Sequence, residues 1–204
     1  MHVIKRNGVK SPVVRDKITA RVRKLSYNLA VSDQVVDRII EEAMRHMKDG
    51  IHTCEIDQVV ANIMTKDPAC DKTLLTLAAR IEASNLHKET IKRFSTVHNL
   101  IYEQGQHRPP LISKDEHDFV ILHKDELDSA IISDRDFRLP YSTLIEDEET
   151  VLYRIDDKIV ERPGHRYMRA AISMALAADK DATLESVLKV YDDLSLRELA
   201  GHTD

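Results

Sequence analysis

Residues 1–18 read MHVIKRNGVKSPVVRDKI: two short apolar-polar alternations on either side of Asn7-Gly8, running into the start of a helical pattern. Asn-Gly between alternating runs is the strongest short-range hairpin signal, because a type I′ turn needs positive φ at both central residues. A two-residue loop predicts the pairs Arg6–Val9, Lys5–Lys10, Ile4–Ser11 and Val3–Pro12, which set Lys5 and Lys10 opposite each other on one face. Like charges so placed repel. Two solvated lysines on a twisted ribbon tolerate this at small cost; an anion held by both would turn the repulsion into a site.

Beyond the hairpin, Asp16-Lys17-Ile18 leads into Val22, Leu25 and Leu29, a helical stripe. Ser32-Asp33 predicts the cap of a second helix carrying Val35, Val36, Ile39, Ile40, Ala43, Met44 and Met47, stopped by Gly50. Thr53 predicts the cap of a third, with Val59, Val60, Ile63 and Met64 inward and an end near Pro68. A long fourth helix begins about Asp71, its stripe of Leu74, Leu77, Ala78, Ile81, Ile91 and Phe94 passing through Asn85 and Lys88. Lys88 either snorkels from the bundle edge or reaches an anion that the hairpin lysines also hold.

Residues 104–113, QGQHRPPLIS, read as a break with Gly105, two prolines and no periodicity. A second helical region follows. KDEHDFVILHKDELDSAII is amphipathic, ISDRDF is an extended or capping stretch, and VLYRIDDKIVERP reads as a hairpin turning at Asp156-Asp157. HRYMRAAISMALA and TLESVLKVYDDLSLREL are two further helices.

Composition narrows the functions available. At 204 residues, 42% hydrophobic and 32% charged, the chain fits a globular, helix-rich protein with one sizeable core or two modest ones. Aromatics make up 4%, without Trp, which disfavours a stacking platform for single strands, and the net charge of -5 disfavours a broad phosphate-backbone surface. No nucleic-acid partner is expected. Cys54 and Cys70 form no C-x-x-C pair and the ten histidines show no zinc spacing, so reduced thiols and no metal site are expected. No run has the length of a membrane span, and a soluble, cytoplasmic protein is the reading. P-loop, Rossmann and nucleophile-elbow motifs are absent. The acidic run EDEE at 146–149 reads as a solvated face; His87-Lys88 and Asp134-Arg135-Asp136 are more distinctive.

VIKRNG, DKI, GIHTCEID, LAARIEASNLHKET and FS, in this order and spacing, resemble the ATP-cone, the nucleotide-binding regulatory module at the N-terminus of class I ribonucleotide reductase large subunits. SAIISDRDF, VLYRIDDKIVERPGHRYMRAAI and VYDDLSLR resemble the helical segment that precedes the catalytic barrel of those subunits. The resemblance implies a mainly α fold: a four-helix bundle capped by a small β-hairpin sheet over residues 1–104, then a helical segment over 105–204. It implies that Lys5 and Arg6 hold a triphosphate together with Lys88. Ser11, Val13, Val14, Asp16, Lys17 and Ile18 would line the adenine, and Thr53 and Asp57 would stand beside the ribose, where ATP and dATP are told apart. The effector the resemblance implies is ATP or dATP with Mg²⁺, and the partners it implies are a second copy through the ATP-cones, a full-length large subunit and a radical-generating small subunit.

Three departures stand out. Ser11-Pro12 replaces a frequent Glu-Arg, and Arg15 an aromatic or aliphatic residue. After SLR the family continues into the barrel with its thiyl-forming and redox cysteines, whereas the chain closes on ELAGHTD; Cys54 and Cys70 match none of those cysteines, and no reduction of ribonucleotides by this chain alone is expected. A rival reading is a shortened relative that serves as an interaction module for a full-length subunit without sensing nucleotide.

Overall fold

The computed structural model describes residues 1–104 and 111–200. The stretch read as a break falls largely on residues 105–110, outside the described residues. The fold is mainly α with small β elements, as expected. Its contacts divide it into two compact units, Met1–Asn85 and Leu86–Asp204, which group Phe94–Gln104 with the second.

In the first unit β1 (His2–Ile4) lies between β2 (Lys10–Pro12), antiparallel, and β3 (Ile51–His52), parallel. The hairpin register differs by one residue from the expected one: His2 faces Pro12, Val3 faces Ser11 and Ile4 faces Lys10. The loop is Arg6-Asn7-Gly8. The Gly8 N–H donates to the Lys5 carbonyl (2.8 Å), the Lys5 N–H donates to the Val9 carbonyl (3.0 Å), and only Gly8 takes positive φ, at 78°. This is the three-residue loop in which a left-handed glycine makes a bulge, and the Asn7 Oδ1 accepts from the Val9 N–H at 3.2 Å. A one-residue slip turns every side chain of one strand over. Here it places Ser11 and Val13 on the face of buried Val3 and turns Lys10 and Pro12 to solvent, so Lys5 and Lys10 no longer oppose each other. Lys10 instead stands 3.9 Å from Asp49, whose carboxyl is held below the usual range chiefly by the His2 backbone N–H.

Four helices complete this unit: α1 (Arg15–Leu25), α2 (Asp33–His46), α3 (Thr53–Lys66) and α4 (Lys72–Glu89), the last running past its boundary. The Ser32 side chain caps α2 and the Asp71 carboxylate accepts from the Leu74 N–H, as local capping chemistry predicts. α1 stops at Leu25, short of Leu29: Ser26 caps it, its N–H bonding the Val22 and Arg23 carbonyls, and Asn28 beyond it adopts φ of 58°. His52, not Thr53, is the cap of α3, with the Glu55 carboxylate accepting from its N–H at 2.7 Å. α4 ends at Glu89, so Ile91 and Phe94 leave the expected stripe; Asn85 is buried and Lys88 exposed. Cys54 and Cys70 are free.

The second unit contains α5 (Phe94–Gln104), α6 (Lys114–Leu122), α7 (Lys124–Ala130), α8 (Tyr141–Glu146), α9 (Pro163–Ala178) and α10 (Leu184–Ala200). Met168 and Ile172 of α9 and Val187 and Tyr191 of α10 share a buried cluster with Phe94, Val120 and Leu127. The amphipathic stretch breaks into α6 and α7 at His123, and residues 133–138, read as an extended or capping stretch, form a 3₁₀ helix. β4 (Arg154–Ile155) and β5 (Lys158–Ile159) pair through the turn expected at Asp156 and Asp157, whose φ of 49° and 63° make it type I′. The acidic run is not a solvated face throughout. Asp147 is 4% exposed and bonded to Arg166 at 2.8 Å, and burial pushes the Glu148 carboxyl up to about 7.

Candidate functional site

The polar interior of the first unit gathers under the hairpin loop. Asp57, on the inner face of α3, is 5% exposed. Both of its oxygens are taken by Arg21 of α1: Nε donates to Oδ1 and Nη2 to Oδ2, each at 2.6 Å. The Arg21 Nη2 also lies 3.4 Å from the Ser84 hydroxyl of α4. Arg6 reaches in from the loop. Its Nη2 is 4.0 Å from the Asp57 Oδ2 and donates to the Asn85 Oδ1 at 2.5 Å, while the Asn85 Nδ2 sits 3.5 Å from the Cys54 carbonyl. A two-bond guanidinium–carboxylate fork offsets part of the cost of burying charge and fixes the plane of the carboxylate. Glu82, another buried acid of α4, is 4% exposed.

The other expected residues surround this cluster in sequence and differ in exposure. Lys5 is exposed on the hairpin. Ser11 and Val13 are half-buried on the sheet, and Val14 is the exposed residue before α1. Asp16 and Lys17 are exposed in the first turn of α1 and Ile18 is half-buried. Thr53 opens α3 one turn before Asp57 and is half-buried. Of the expected set, Arg6 and Asp57 are drawn together; the carboxylate expected to face a sugar is engaged by an arginine that the sequence reading passed over. Arg21 carried one signal, a cation at helical spacing from Ile18 and Leu25 on an otherwise apolar stripe.

Lys88 belongs to the second unit and is exposed near the end of α4. The turn that carries it is held there. Arg162 donates to the His87 carbonyl (2.9 Å), the Thr90 carbonyl (3.1 Å) and the Thr90 hydroxyl (2.9 Å), satisfying acceptors that a helix end leaves open. The His87 Nε2 meets the Asp136 Oδ2 at 2.7 Å, and the Asp136 Oδ1 accepts from the Gly164 N–H at 2.9 Å. One residue from each of the two distinctive stretches, His87 and Asp136, thus meets the other in a largely buried network.

Among the described residues no three His, Cys, Asp or Glu side chains form a metal site, and no helix is long and apolar enough to cross a membrane.

Residues 1–89 match the family model of the ATP cone domain. The chain is 37% identical over 201 residues to ribonucleoside-diphosphate reductase large chain 2 of Saccharomyces cerevisiae, a match covering 97% of this chain and 23% of that protein. It is 38% identical over 200 residues to the ribonucleoside-diphosphate reductase large subunit of vaccinia virus, covering 96% and 25%. For the large subunit of Danio rerio the identity is 38% over 178 residues, covering 85% and 22%. The chain therefore spans about a quarter of the length of these curated relatives.

Proposed function

The chain carries an ATP cone domain and is homologous, over nearly all its length, to the N-terminal region of ribonucleoside-diphosphate reductase large subunits; from that premise we propose that it is an allosteric region that binds ATP or dATP and biases an equilibrium between oligomeric states. The observation that carries the reading is the approach of Arg6 to Asp57 at 4.0 Å, which links a residue expected at the phosphates with one expected at the sugar.

In this reading Lys5 and Arg6 attract the triphosphate through charge-assisted hydrogen bonds, and Lys88 is assigned to the phosphates by the resemblance. Ser11, Val13, Val14, Asp16, Lys17 and Ile18 flank the base, and Thr53 and Asp57 the sugar. Mg²⁺ would arrive on the phosphate oxygens and keep much of its water, as this ion commonly does. The effector acts by binding one quaternary state better than another, and the shift equals its differential affinity. The partners in that equilibrium are a second copy, a full-length large subunit and a radical-generating small subunit in the cytoplasm, serving the supply of deoxyribonucleotides for DNA replication.

Calorimetric titration with Mg-ATP, Mg-dATP and Mg-GTP, combined with light scattering, tests this. Micromolar binding of the adenine nucleotides, roughly -8 kcal/mol, a raised melting temperature and a change in mass with dATP are expected. Neither heat nor thermal shift at millimolar ATP or dATP would leave the interaction-module reading in its place.

A further inference from the structure

We infer that Arg21 is the positioning residue on which the sugar preference of this site depends; the inference rests on the nucleotide-binding reading above. ATP and dATP differ by one 2′-hydroxyl, and a carboxylate can report that difference only if its orientation is fixed before the nucleotide arrives. Asp57 is 5% exposed, so the protein and not water sets that orientation. Arg21 sets it with the fork at 2.6 and 2.6 Å, which removes rotation of the carboxylate about its own bond.

Arg21 has a second effect, on the phosphate side. The Arg6 guanidinium is 4.0 Å from the Asp57 Oδ2 and bonded to Asn85. While Arg21 neutralises Asp57, Arg6 remains oriented by Asn85. Without Arg21, a buried carboxylate lacking its cation draws Arg6 the remaining distance, because an unpaired buried charge is costly. Arg6 is then withdrawn from the triphosphate. One residue that touches no nucleotide thereby governs both sugar discrimination and phosphate affinity.

The test measures dissociation constants for Mg-ATP and Mg-dATP, and the melting temperature without ligand, in the 204-residue chain and three variants. In Arg21→Gln the ratio of the two constants collapses towards one and both rise about tenfold, the scale of one charge-assisted bond. Arg21→Lys recovers most of the melting temperature but not the ratio, since an ammonium makes no fork. In Arg21→Gln with Asp57→Asn, Arg6 is released and both nucleotides bind tighter than in Arg21→Gln, though short of the wild type because Asp57 itself flanks the sugar, while the ratio stays near one. A folded Arg21→Lys variant with the wild-type ratio, or a double variant that binds no tighter than Arg21→Gln, overturns the inference and leaves the nucleotide reading intact. So does a wild-type chain that binds both nucleotides equally. A wild-type chain that binds neither overturns both. If Arg21→Gln fails to fold, the lysine and double variants decide the question.

Discussion

Lys10 and Lys88 have opposite fates in the structure and give a paired prediction. Lys10 is 60% exposed and stands 3.9 Å from an equally exposed Asp49. Such an exposed pair contributes little and is screened by salt. Lys10→Gln should therefore leave both the melting temperature and nucleotide affinity nearly unchanged. Lys88 is exposed near a helix end, so Lys88→Met should fold and melt like the wild type. Its dATP affinity should fall about tenfold to a hundredfold, the range of a lost charged contact to phosphate. Titration of both variants checks this, and wild-type affinity in Lys88→Met would show that the lysine is no ligand. Sequence spacing marked Lys88 as an interruption of an inward stripe; the structure turns it outward because α4 carries Asn85 into the interior and stops at Glu89.

Two glycines separate backbone strain from packing at the scale of the elements. Gly8 adopts φ of 78° with nothing within 4 Å of an added Cβ, so Gly8→Ala should lose about 1 kcal/mol through conformation alone. Gly164 lies in α9, where alanine would ordinarily be favoured by about 0.5–1 kcal/mol. An added Cβ there would meet the Asp136 Oδ1 at 3.3 Å, the atom that accepts from the Gly164 N–H. Gly164→Ala should therefore destabilise, by about 1–2 kcal/mol, and thermal or urea denaturation reads the sign directly. The turns were unevenly legible. Asp156-Asp157 makes the hairpin turn where its sequence places one, whereas Asn7-Gly8 is joined by Arg6 in a three-residue loop, because that register gives the buried face Ser11 and Val13 in place of Lys10 and Pro12.

At the scale of the molecule the titratable groups buried in the second unit give stability a defined pH dependence. Burial lowers His98 and His165 to about 4, with His117 and Arg169 adding to it at the first and Arg162 and His87 at the second. The Nδ1 atoms of both are buried without a hydrogen-bond partner among the described residues. Their folded forms bind fewer protons than the unfolded chain, so their stabilising share is full above about 6.5 and lost as pH falls through 4. Glu148, pushed up to about 7, works the other way: its share is full below about 4.5 and lost as pH rises through 7. Two histidines outweigh one glutamate, so the melting temperature should fall between pH 6.5 and 4, less steeply in His98→Gln. Glu148→Gln should raise the melting temperature at pH 8 and change it little at pH 5. Calorimetric scans across this range check both, and a Glu148→Gln gain confined to acid would contradict the assignment.

The sequence by itself determined the mainly α class, the starts of α2 and α4, the turn at Asp156-Asp157 and the resemblance that led to an ATP cone. Caps and turns are hydrogen bonds closed within about four residues, so the local order of side chains specifies them. Tertiary structure alone decided the hairpin register, the addition of Ile51–His52 beside β1, the fork between Arg21 and Asp57 and the meeting of His87 with Asp136. The last two join residues 36 and 49 positions apart. At such separations spacing carries no information, and the pairing is selected by which faces are buried together and which buried charges must then find a partner.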